Sequence, residues 1–122
     1  MLTIRNEQIK AFEERVLSTF STQAIDHLRT ELADLTAGLS DDALLERVRF
    51  CMPRASAYGL ESAAEIMAFV DATYLLDDEY FDVDPDYWWA PEILHNRYLT
   101  PREKATQLLD SAFTENQLTG EE

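Results

Sequence analysis

Between Ala63 and Leu76 the chain reads AAEIMAFVDATYLL, apolar on almost every side of a helical wheel. Ser62 and Glu65 precede it in the S-x-x-E arrangement, where each side chain meets the other's backbone N–H and so fixes a helix start. A helix that is apolar all round is stable in water only when other helices surround it. It is too short to span a bilayer, and Asp71 interrupts it. With 122 residues, 46% of them hydrophobic, the chain can build one core around such a helix. Asp71 then becomes a partly buried carboxylate that needs a cation, for which Arg49 or Arg54 are the candidates.

The flanking sequence supplies the surrounding helices. Ile9, Phe12, Val16 and Phe20 recur at steps of three and four, predicting a first helix over about Asn6 to Phe20 with Thr3 or Asn6 as its cap. The hydroxyl residues from Ser18 to Thr22 predict a break. A second helix follows with Ile25, Leu28, Leu32 and Leu35 on one stripe, ended by Gly38 in the left-handed position. Ser40 caps a third, whose buried stripe is Leu44, Val48, Cys51, Ala55 and Tyr58. Pro53 kinks this helix and Gly59 stops it. Beyond the central helix, Asp77 to Pro91 reads as an ordered loop, then a short helix at about Pro91 to Arg97 with Pro91 first. Thr100-Pro101-Arg102-Glu103 opens a last helix with Ala105, Leu108, Leu109, Ala112 and Phe113 as its apolar face, and a tail that frays from about Gln117. No convincing run of period-two alternation appears. The expected fold is all-α: residues 1–122 form a single-domain bundle of about five helices, with a central apolar helix and an ordered acidic–aromatic loop.

Charge narrows the function. Net charge is −14, and residues 61–122 hold fifteen acidic and three basic side chains against nine and seven in residues 1–60. The phosphates of DNA or RNA and anionic membrane surfaces need clustered Lys and Arg, so no nucleic acid and no membrane is expected as partner. A basic protein surface is favoured, since the field would accelerate its approach. The N-terminus MLTIRNEQIK has no basic region followed by an apolar run, so no signal peptide is expected, and a cytoplasmic protein is. One cysteine allows no intramolecular disulfide.

Catalytic constellations are not evident. Cys51 lies on an apolar stripe as a small hydrophobe, and neither His27 nor His95 has a partner at helical spacing. Zinc would need clustered Cys and His. Asp82, Asp84 and Asp86 match the opening of a calcium loop, but Tyr87 stands where glycine belongs and Ile93 where the closing glutamate belongs. No catalytic residue, metal or cofactor is therefore assigned, and a protein that binds rather than catalyses is expected.

The candidate binding residues are Asp77, Asp78, Glu79, Tyr80, Phe81, Asp82, Asp84, Asp86, Tyr87, Trp88 and Trp89, in which carboxylates alternate with large rings. Rings supply desolvated anchors and carboxylates at the rim supply steering and orientation. The same rings could instead fold over the central helix. The mixed outcome places Phe81 and one Trp inside, with the other Trp and the tyrosines outside.

One resemblance sharpens this. Ala57-Tyr58-Gly59-Leu60-Glu61-Ser62, then Phe69-Val70-Asp71, Tyr80-Phe81-Asp82-Val83-Asp84-Pro85, and Trp88, Trp89, Ala90, Ile93 and Leu94 resemble a pattern in small bacterial proteins encoded beside type VI secretion effectors. The pattern spans roughly residues 40 to 110. The chain departs from it at Pro53, and at Leu76-Asp77-Asp78, where a glycine is expected. The resemblance implies a non-enzymatic accessory, an adaptor or co-chaperone, whose partner is a toxin effector or its chaperone. The alternatives are an immunity protein that occludes a basic toxin's active site and a small calcium-binding protein.

Overall fold

The computed structural model describes residues 19–120, and among them every regular element is helical. The expected first-helix residues from Thr3 to Val16 lie outside the described residues. Helix α1 is described over residues 19–31 and α2 spans Ala33–Thr36. The longer α3 (Asp41–Ala57) and α4 (Ala63–Leu75) follow, then α5 (Trp89–Leu94) and α6 (Pro101–Gly120). Two 3-10 turns, Phe81–Val83 and Pro85–Tyr87, lie between α4 and α5. No described helix is long and apolar enough to cross a membrane.

α4 is the core helix. Every residue from Ile66 to Leu76 is buried, and α3 and α6 pack against it. α3 brings Leu44, Val48, Cys51 and Ala55, all buried, and α6 brings Ala105, Leu108 and Ala112, whose small alanines let the two backbones approach. Each large side chain so buried stabilises the fold by roughly 1.5–3 kcal/mol relative to leaving it in water. The capping box at Ser62 and Glu65 is complete: Glu65 N–H donates to Ser62 Oγ at 3.2 Å, and Glu65 Oε1 accepts from Ser62 N at 3.3 Å and Glu61 N at 3.1 Å. The same reciprocal pair starts α6, between Thr100 and Glu103. Ser40 caps α3 by accepting from Ala43 N.

Gly59 ends α3 as expected. Its φ of +88° lets Leu60 N reach back to Ala55 O at 3.0 Å, the closing bond of a Schellman turn. Helix α3 itself continues through Pro53 from Asp41 to Ala57.

Other expectations need correcting. No break occurs at residues 19–22, which are helical, because the hydroxyls there did not outcompete the ladder. Gly38 does not take a positive φ. The free carbonyls at this end are met differently: the Arg29 guanidinium donates to Thr36 O and, at 2.6 Å, to Leu39 O, while holding Asp41 at 2.9 Å. Thr36 Oγ1 donates back to Leu32 O and Leu28 O, joining α2 to α1. The resulting turn carries Leu35 out of the buried stripe. α5 begins at Trp89 and not at Pro91, which sits in its first turn, and stops at Leu94. α6 continues through Gln117 to Gly120, and Phe113 on its expected apolar face is exposed.

Asp71 pairs with neither Arg49 nor Arg54. His27 Nε2 meets its two carboxylate oxygens at 2.8 and 3.1 Å, because α1, not α3, covers that side of α4. Burial pushes the Asp71 carboxyl above its ordinary value, and the imidazole offsets only part of that.

Candidate protein-binding site

The acidic–aromatic segment begins where α4 ends. Asp78 N donates to Thr73 O at 3.0 Å and Asp77 N to Tyr74 O at 3.2 Å, so Asp77 occupies the left-handed position with φ +52°. This is the place where the resemblance calls for glycine. The chain then turns twice. Asp78 Oδ1 accepts from Tyr80 N at 2.8 Å, and Asp84 Oδ1 accepts from Asp86 N at 2.9 Å, each carboxylate bracing its own turn as aspartates do. Pro85 pre-sets the second turn.

Two of the candidate residues point inward. Phe81 is fully buried against Phe69, with ring centroids 5.0 Å apart. Asp82 is buried too, accepting from Tyr58 Oη at 2.6 Å and from the Arg54 guanidinium. These two are not surface anchors: the ring fills space over α4, and the carboxylate is an internal counterion. Burial alone would raise the Asp82 carboxyl, but the bonds from Arg54 and Tyr58 outweigh it and hold it below its usual value. Arg54 is correspondingly raised by Asp82, and burial with the Asp82 bond pushes the Tyr58 phenol up to about 12.

Arg54 is the bolt of the segment. Its guanidinium lies over the Phe50 ring, 5.2 Å away, and over the Tyr80 ring, 4.8 Å away, and those rings meet edge-on at 5.4 Å. One cation thus fixes a carboxylate and a ring of the loop to α3. Next to it, Arg47 holds Glu79 at 3.1 Å, donates to Thr73 Oγ1 at 3.0 Å and covers the Tyr74 face at 4.4 Å. At the far end Tyr87 Oη donates to Leu76 O at 3.1 Å, and Trp89 Nε1 donates to Glu115 at 3.3 Å.

What faces outward is specific. Trp88 is 66% exposed, Val83 66% and Tyr80 55%, among the exposed carboxylates Asp77, Glu79 and Asp86. Tyr87 and Trp89 are half-buried and touch edge-on. Asp78 and Asp84 are brought together: Asp84 beside it lifts the Asp78 carboxyl, while the Asp84 carboxyl is lowered by its bonds to Asp78 and the Asp86 N–H. Val83 was not singled out from the sequence, because a lone valine between aspartates carries no signal. The pinning by Arg54 was half visible, since Phe50 and Arg54 stand four apart on one helix face.

The remaining reactive groups lie apart. Burial pushes the Cys51 thiol up to about 12, which keeps it protonated and poorly nucleophilic. His95 stands edge-on to the Tyr58 ring at 5.2 Å. Asp82, Asp84 and Asp86 diverge, the first to Arg54 and the second into its own turn. Among the described residues no group of three or more His, Cys, Asp and Glu side chains is close enough to hold a metal ion. No family model, curated protein or solved structure matches the chain.

Proposed function

We propose that this chain is a non-catalytic accessory of a secreted bacterial toxin, an adaptor or co-chaperone that holds the effector or its chaperone through residues 77–89. The observation that carries the binding role is the outward set Trp88, Val83 and Tyr80, standing among carboxylates on a backbone pinned by Arg54, Arg47 and Tyr87. Large rings left in water beside charge are the usual anchors of protein interfaces. The toxin connection rests on the resemblance alone. Affinity purification of the tagged chain from its native cells is expected to return an effector, its chaperone or a delivery-spike protein, and its deletion to abolish export of that effector. Recovery of none of these by the wild-type chain refutes the proposal.

A second reading is favoured by the charge. Fifteen acidic and three basic side chains in residues 61–122 suit occlusion of a cationic toxin cleft. An immunity protein protects cells that express the toxin, whereas an adaptor is needed for its export and gives no protection.

A further inference from the structure

A groove of about 650 Å³ lies between residues 34–39 and the C-terminal end of α4, with Tyr87 and the Glu115–Asn116 stretch of α6 as its other walls. A volume of this size is that of sites enclosing a ligand or a few side chains. Its apolar lining is open at the lip among the described residues. Leu35 and Leu39 are 41% and 37% exposed, while Leu28, Leu32 and Leu44 close to them in the chain are buried. Single exposed leucines are ordinary, but here two line one groove beside the Tyr87 ring.

Its charge is one-sided. Among the described residues Asp34, Asp77 and Glu115 line it, and the one cation in its wall, Arg47, is already committed to Glu79, Thr73 and the Tyr74 ring. Two of the neutral polar groups are engaged as well: Asn116 Nδ2 donates to Leu75 O at 3.1 Å and Tyr87 Oη to Leu76 O. What the groove offers an incoming molecule is apolar surface bordered by carboxylates.

We infer that this groove receives a basic amphipathic segment of a protein partner, an apolar side chain seating between Leu35 and Leu39 and an Arg or Lys reaching Asp34 and Asp77. The inference rests on the protein-binding reading and gives it a second contact beside Trp88. Charge complementarity selects the occupant: an acidic or neutral segment leaves the carboxylates uncompensated.

Amide chemical shifts of the ¹⁵N-labelled chain, followed during titration with a short helical Leu/Arg peptide and with its Leu/Glu counterpart, test it. The Leu/Arg peptide is expected to move Leu35, Leu39, Asp77 and Asn116, and the Leu/Glu peptide to leave them unmoved. The double variant Asp34→Asn, Asp77→Asn is expected to bind the Leu/Arg peptide about tenfold more weakly at unchanged Tm. Leu39→Ser, at an exposed site, is expected to weaken it too. Equal response to both peptides, no response, shifts confined to Trp88 and its neighbours, or unaltered affinity in the double variant each overturn the inference. The reading that residues 77–89 hold the partner fails separately, when Trp88→Ala retains full affinity for the partner recovered from native cells.

Discussion

Replacing Asp82 by Asn removes one charge at nearly constant shape and tests what holds the acidic–aromatic segment. The Asp82 side chain is 3% exposed and that of its partner Arg54 20%. Breaking a buried ion pair by removing one member costs roughly 3–5 kcal/mol, because the other charge stays desolvated. Arg54 keeps part of its access to water and keeps both rings, and Asn still accepts from Tyr58, so the lower end applies. The expected loss is about 3 kcal/mol, or roughly 12 °C in Tm for a domain of this size. pH provides an internal control. The folded-state value of Asp82 is depressed, so its contribution is complete above the unfolded carboxyl value of about 3.9 and disappears as pH falls through the folded one. The difference between wild type and Asp82→Asn in urea titrations should therefore be constant from about pH 7 to 5 and shrink below about pH 4. The double variant Arg54→Met, Asp82→Leu should recover much of the loss, as apolar replacements of buried pairs do. A loss under about 1 kcal/mol at pH 7, or an undiminished difference at pH 3, would refute the reasoning.

Further outcomes follow from four individual side chains. Trp88→Ala should weaken partner binding by about 2 kcal/mol, roughly 30-fold in Kd by calorimetry, at unchanged Tm, whereas Phe81→Ala should cost about 3–5 kcal/mol of stability in denaturant titrations. Asp77→Gly should stabilise the fold by about 0.5–1 kcal/mol, read as a higher urea midpoint at constant m-value, because relief of the left-handed residue exceeds the added chain entropy of glycine. In thermal melts at pH 7, His27→Ala should destabilise by about 2 kcal/mol, since it strips Asp71 of the partner its burial demands, and His27→Gln should recover part of the loss.

What the sequence made legible was local. Ser62 with Glu65 and Thr100 with Glu103 announced their helices because a capping box is completed within four residues. The α3 stripe from Leu44 to Ala55 followed from period alone. The pairing of Asp71 with His27 was not legible, as it spans 44 positions and depends on which helix covers that side of α4. The role of Gly38 was misread for a similar reason: a guanidinium from α1 reached carbonyls seven and ten residues on, and removed the need for a left-handed turn. Within the candidate segment, composition gave no sign of the facing of its members. Phe81 and Trp88 look alike in sequence, and only the two 3-10 turns between α4 and α5 decide that one is inside and the other out.

Under the proposed binding role, the clamp on Arg54 also bears on the kinetics of capture. A loop tied to α3 by a buried carboxylate, a stacked ring and a second arginine has little freedom left to lose when something docks on it. The entropy of ordering then falls mainly on the incoming molecule, and encounters depend on diffusion and the acidic field rather than on rearrangement of the receptor. Association should accordingly be fast and strongly slowed by salt, with residence time set by how well Trp88 is covered.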